Sequence, residues 1–255
     1  MEALIRNLKI NYEEKGSGEP VLMLHGWGSS LVPFTNIINL LSSKYRVIAP
    51  DFPGCGKSET MAEAWNIDDY CDFVLEFCEK LDIKNPILIG HSHGGRVIMK
   101  LVGEKKINPV KVIFLDSAGL IPKKSFKTKM RIATYKFVKK TLSLPVIRSF
   151  SGSLLDRAKK HFGSTDYRSA PPVLQKTLVN VVNVDLRHLL CNFECPTLLI
   201  WGENDTATPL SDAKIIESLV KDSGLCVIKG AGHFAFLDNA VQTAAILKSF
   251  LKIEV

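Results

Sequence analysis

The sequence predicts an α/β layered fold on a mostly parallel sheet, and three observations carry that prediction. Short apolar runs of strand length alternate with longer segments of helical apolar spacing. The 255 residues are 46% hydrophobic, enough to bury one large core. A Gly-x-Ser-x-Gly turn, Gly90-His91-Ser92-His93-Gly94, stands between one apolar run and one helical segment.

Each element has its own signal. Leu8–Tyr12 and Val21–Leu24 read as strands, a helix lies around Phe34–Leu41, and Arg46–Ala49 is the next strand. A helix over Asp68–Leu81 carries Cys71, Val74, Cys78 and Leu81 on one apolar stripe, so its cysteines read as core filler. Pro86–Ile89 is a strand with the turn-former Asn85 ahead of it, and the helix after the turn has Val97, Ile98, Leu101 and Val102 at helical spacing. Val110–Leu115 and Pro196–Trp201 read as buried strands. Leu225–Ile228 is another, and a helix near Asn239–Leu251 ends the pattern. Roughly Leu120–Leu190 fits no βα repeat, which divides the chain into a core (1–119 and 191–255) and an insertion (120–190).

Composition bounds the class. No apolar run approaches the ~18 residues of a membrane span, and the N-terminal residues lack a signal-peptide core. Six cysteines without a secretory signal point to reduced thiols and a cytoplasmic location. The net charge of +7 is unevenly spread. Residues 121–170 hold thirteen Lys and Arg against two Asp, which leaves the rest of the chain at −4. There Phe126, Met130, Ala133 and Phe137 fall at helical spacing with lysines between them. The charge reads as a solvated helix face, as attraction for an anionic substrate, or as a contact with an anionic membrane surface. Nucleic acid ranks last, because no recognition motif accompanies the charge.

The Gly-x-Ser-x-Gly turn carries the chemistry. A serine between a strand and a helix is held in a strained backbone that lifts its hydroxyl above the sheet, with a helix N-terminus behind it. The hydroxyl is a weak nucleophile and needs an oriented base. Of six histidines, His233 sits in Gly230-Ala231-Gly232-His233 directly after a strand and can project over a sheet edge. His161 and His188 lie beside basic residues and read as solvated or capping groups. For the acid, Asp205 follows the strand ending at Trp201, with Glu203 as local rival and Asp116, after Leu115, as a rival from another strand. Chain order favours Asp205: Ser92, Asp205 and His233 run Ser…Asp…His, each after a separate strand.

On these residues the chain resembles the α/β-hydrolase superfamily, most closely its small esterases and carbon–carbon bond hydrolases, over nearly its whole length. The resemblance implies the α/β-hydrolase fold with the insertion as a helical cap. It also implies a cofactor-independent serine hydrolase, foremost a carboxylesterase acting on a small-molecule acyl substrate. His25-Gly26-Trp27-Gly28 matches the family's oxyanion loop, so the backbone N–H groups of Trp27 and His93 are the implied oxyanion donors. His25 resembles a loop-bracing histidine. Asp51-Phe52-Pro53-Gly54-Cys55-Gly56-Lys57-Ser58 resembles a structural turn of the family and gives Asp51 no catalytic part.

Other classes fit less well. Gly56-Lys57-Ser58 ends like a phosphate-binding loop, but that motif needs glycine where Asp51 stands. No Cys, His or carboxylate cluster has ligand spacing, so no metal is expected, and neither is a cofactor. Gly94-Gly95-Arg96 resembles the Gly-Gly-Arg of menaquinone-pathway synthases in the same superfamily, which makes Arg96 a candidate for binding a carboxylated substrate. That keeps a lyase or carbon–carbon bond hydrolase as an alternative, alongside a non-catalytic binding protein. A dehalogenase would carry aspartate at position 92.

Overall fold

The computed structural model describes residues 1–121 and 170–253. Eight strands form one sheet: β1 Glu2–Ile5, β2 Leu8–Lys15, β3 Pro20–Leu24, β4 Arg46–Pro50, β5 Ile87–His91, β6 Lys111–Leu115, β7 Thr197–Gly202 and β8 Ser223–Ile228. The described helices are α1 Thr35–Leu41, α2 Ile67–Lys80, α3 His93–Gly103, α4 Pro172–Val182, α5 Leu210–Leu219, α6 Ala235–Asp238 and α7 Ala240–Leu251. The spatial strand order is β1-β2-β4-β3-β5-β6-β7-β8. Strands β3 to β8 pair in parallel, and β1 and β2 join antiparallel at one edge.

The parallel strands are nearly continuous apolar runs because both faces are covered. Side chains alternate between two cores, as the pleat requires. Leu22, Leu24, Leu88, Phe114, Leu199 and Trp201 point to the face shared with α2 and α3. Val21, Met23, Ile89, Ile113, Leu115 and Ile200 point to the other, with Phe34, Phe236 and Leu247. Each such buried side chain contributes ~1.5–3 kcal/mol of transfer free energy.

The helix starts have identifiable causes. Asn66 caps α2: its Oδ1 accepts from the N–H groups of Asp68 (2.7 Å) and Asp69 (3.3 Å), while the Asp69 carboxylate accepts from Asn66 N–H at 2.9 Å. Asn239 caps α7 by accepting from Gln242 N–H at 3.1 Å. The C-terminal helix therefore begins one residue after its expected start.

Strand β1 is an addition to the sequence reading. It turns into β2 through Arg6 and Asn7, both at positive φ (48° and 60°), and β2 runs on to Lys15. Pairing with β4 carries β2 three residues past Tyr12, through the charged Glu13-Glu14-Lys15. α4 packs on the sheet face shared with α2 and α3 through buried Leu174 and Val181, and Thr177 Oγ1 accepts from Trp65 N–H at 3.0 Å. Phe126, Met130, Ala133 and Phe137, with the thirteen basic residues, lie outside the described residues. No described helix is long and apolar enough to cross a membrane. All six cysteines are free, and Cys71 and Cys78 are buried on α2.

The strand order reverses at β3, whose neighbours β4 and β5 are reached by connections running in opposite directions. A crevice forms outside the carboxyl ends of strands at such a switch point. His25, Ser92, Asp116, Asp205 and His233 all lie just past strand ends on that side.

Candidate active site

Strand β5 delivers Ser92 directly into α3. Ser92 adopts φ 49° and ψ −110°, a conformation that costs a non-glycine residue ~1–3 kcal/mol and persists only under constraint. The constraint is close packing of the elbow. A Cβ on Gly94 would run into the Leu24 carbonyl, and one on Gly95 into the Ser117 side chain. The Ser92 N–H donates to Leu115 O at 3.2 Å, and its carbonyl accepts from Ala118 N–H at 2.9 Å.

Three side chains then meet in a line. Ser92 Oγ lies 3.0 Å from His233 Nε2, and His233 Nδ1 lies 2.9 Å from Asp205 Oδ2. The Asp205 side chain is fully buried, while His233 keeps about a quarter of its side-chain surface. Asp205 Oδ1 accepts from the N–H groups of Ala207 (2.8 Å) and Thr208 (3.0 Å), and Oδ2 accepts from the Thr208 hydroxyl at 2.6 Å. Burial by itself would raise the Asp205 carboxyl. The hydrogen bonds from His233 and Thr208 outweigh it and hold the group below the usual carboxylate range. A carboxylate so held can accept a hydrogen bond from Nδ1–H of His233 and leave Nε2 unprotonated toward Ser92.

The loop His25-Gly26-Trp27-Gly28 follows β3. Trp27 and His93 are neighbours, with ring centroids 5.5 Å apart. The His93 N–H opens α3, and like the Trp27 N–H it has no acceptor among the described residues. Two N–H groups beside a helix N-terminus suit a developing negative charge. His25 braces this loop: its Nδ1 is 2.7 Å from Gly26 O, and its Nε2 accepts from Phe52 N–H at 2.8 Å. Asp51 is a turn organiser, accepting from Leu31 N–H, Lys57 N–H and Asn11 Nδ2 at 2.7–2.9 Å. Beside Trp27 and Gly28 opens a cavity of about 240 Å³ whose other walls include Cys55, Pro171 and Leu174.

The rival acids do other work. Asp116 is buried and accepts from Gly202 and Ala235 N–H, and the Glu203 carboxylate accepts from Gly230 N–H at 3.0 Å. Arg96 is buried in α3 with Nη1 donating to Val184 O at 2.8 Å, an anchor for the chain leaving α4. His188 is exposed on a 3-10 turn, and His161 lies outside the described residues. Among the described residues no group of three or more His, Cys, Asp or Glu is placed to hold a metal ion.

His91, the first variable residue of the turn, touches His233. Its Nε2–H donates to the His233 carbonyl at 2.8 Å, and the two rings lie 4.9 Å apart. The first variable position of a Gly-x-Ser-x-Gly turn says nothing about a partner 142 residues away. Thr208, the hydroxyl donor to Asp205, was missed for the same reason.

Burial lowers three imidazoles of the site: His25 to about 4, His91 to about 3, and His93 well below its ordinary value. In the unfolded chain each takes a proton near pH 6.5. The unfolded state therefore binds more protons below that pH, and stability must fall as pH drops from 6.5 toward 4. The slope is up to about 1.4 kcal/mol per pH unit for each histidine. Urea unfolding at pH 7 and pH 5 checks this, and equal midpoints would refute it.

Comparison with known proteins agrees with this architecture. The sequence model of the alpha/beta hydrolase family matches residues 21–246, so the chain belongs to that family. It is 24% identical to the pimeloyl-[acyl-carrier protein] methyl ester esterase of Aeromonas hydrophila over 96% of this chain and all of that one. It is also 24% identical to the 2-hydroxymuconate semialdehyde hydrolase of Pseudomonas sp., covering 98% and 93% of the two chains. Among solved structures, an esterase from Exiguobacterium antarcticum superposes with a TM-score of 0.75 at 25% identity, over 98% of each chain. This is a hydrolase of the α/β-hydrolase family.

Proposed function

We propose that this hydrolase is a serine carboxylesterase that cleaves small or medium acyl esters through an acyl-enzyme. The observation carrying the reading is the hydrogen-bonded line from Ser92 Oγ through His233 to Asp205, at 3.0 and 2.9 Å. In this mechanism His233 Nε2 takes the Ser92 proton as Oγ attacks the ester carbonyl. The Trp27 and His93 N–H groups hold the oxyanion. His233 then returns the proton to the departing alcohol. Water, deprotonated by His233, cleaves the acyl-enzyme and releases the acid and Ser92. Asp205 keeps the imidazole in the tautomer that can accept from serine and stabilises its protonated form.

Two esterase relatives among the neighbours support ester chemistry, and the uncharged walls of the cavity at Trp27 and Leu174 suit an uncharged chain. The carbon–carbon bond alternative has a relative of its own, but Arg96, its candidate carboxylate ligand, spends Nη1 on Val184 O. The test is fluorophosphonate labelling followed by an ester panel. Stoichiometric labelling of Ser92 and turnover of 4-nitrophenyl esters are expected. A folded protein that neither labels nor hydrolyses any ester would leave a binding role. Pairing anionic with neutral esters across a salt series reads the basic 121–170 segment: a preference for the anion that fades with salt marks electrostatic attraction.

A further inference from the structure

Asp116 stands immediately after β6, the strand between the one that presents Ser92 and the one that leads to Asp205. It is fully buried and takes φ 44°, a left-handed conformation that turns its side chain back over the strand ends. Oδ1 accepts from Gly202 N–H at 2.7 Å, three residues before Asp205, and Oδ2 accepts from Ala235 N–H at 2.9 Å, two residues after His233. Its main-chain carbonyl lies 3.0 Å from the Thr208 hydroxyl that serves Asp205. Leu115, just before it, and Ala118, two residues after it, hold Ser92 through its backbone.

We propose that Asp116 is a positioning residue: its carboxylate clamps the Asp205 loop to the His233 loop and so sets the distance across which Asp205 orients the imidazole. The proposal rests on the serine-hydrolase reading above. An ionised carboxylate offers a full acceptor to both N–H groups, and a protonated one keeps only a weak hydroxyl acceptor for one of them. An amide places an NH₂ donor against one of them and leaves that N–H buried and unpaired. Burial raises the Asp116 carboxyl, against the two N–H donors, to about 7. The titratable groups facing it are Asp205, whose charge raises it further, and His233, which lowers it. The clamp is therefore at full strength above about pH 7 and weakens as pH falls through that value.

Asp116→Asn should lower kcat for 4-nitrophenyl acetate by about 10- to 100-fold, with KM changed less than about twofold. The rate of fluorophosphonate attack on Ser92 should fall by the same factor. The acid limb of the parent's pH–rate profile should contain an ionisation near pH 7, and the variant should lose it. A folded Asp116→Asn protein with kcat within about twofold of the parent and an unchanged acid limb would overturn the proposal. If the variant does not fold, the parent protein still decides. The amide protons of Gly202 and Ala235 should titrate together with one midpoint near pH 7 by NMR, and separate midpoints would refute the clamp. A parent protein that never labels at Ser92 would defeat the serine-hydrolase reading, whereas labelling unaffected in the folded variant would defeat only this one.

Discussion

Replacing Ser92 with alanine is expected to lower kcat for ester hydrolysis by about 10⁶-fold, the loss seen when the nucleophile of a serine–histidine–aspartate system is removed. The Ser92 hydroxyl contacts His233 Nε2, and its backbone bonds to Leu115 and Ala118 do not involve the side chain. The variant should therefore fold, and alanine at φ 49° carries strain similar to that of serine. What survives is the rate supplied by the Trp27 and His93 N–H groups and by substrate binding, roughly 10³–10⁴ over water. Fluorophosphonate incorporation must disappear in parallel. Residual activity within tenfold of the parent would mean that the ester is cleaved by something other than attack from Ser92.

Asp205→Asn is expected to cost about 10⁴ in kcat while leaving KM nearly unchanged. The aspartate accepts four hydrogen bonds, from Ala207 N–H, Thr208 N–H, the Thr208 hydroxyl and His233. Asparagine supplies one oxygen. If that oxygen stays with the backbone donors, an NH₂ group faces His233 Nδ1 and turns it into an acceptor. The proton then sits on Nε2, and the imidazole can no longer take one from Ser92. The fully buried side chain at position 205 also loses the charge that stabilises imidazolium. Because Asp205 is held below the usual carboxylate range, its own titration should leave no mark on activity near neutral pH. Single-turnover acylation rates for parent and variant measure the effect. A drop under tenfold would point to another acid as the orienter, with Asp116 the first to test.

The strands and their chemistry were legible to different degrees. Val21–Leu24, Arg46–Ala49, Pro86–Ile89 and Val110–Leu115 announce themselves because strands covered on both faces need unbroken apolar runs. β1 did not, since a short edge strand half exposed to solvent carries no such run: Glu2 and Leu4 remain exposed. Helix ends were legible to within a residue or two where caps such as Asn66 and Asn239 occur. Within the site, Ser92 is visible through its glycines, because close approach of the elbow to Leu24 and Ser117 excludes any Cβ. His91 and Thr208 were invisible as partners of His233 and Asp205. Nothing local distinguishes a histidine that donates across the sheet from one that fills a turn.

The amino-acid sequence by itself determined the alternation of strands and helices, the elbow at Ser92 and the Ser…Asp…His order along the chain. These are local properties, written in apolar period, glycine placement and loop position. Chain order already favours Asp205, and only the tertiary structure shows what the oxygens of each acid face. Asp205, Glu203 and Asp116 all follow strand ends, yet their oxygens face different donors: an imidazole, a loop N–H, and two N–H groups from separate loops. Those partners depend on strand order and on the direction a carboxylate takes from its backbone. Both are fixed when β5, β6, β7 and β8 line up side by side, bringing residues more than a hundred positions apart within 3.0 Å.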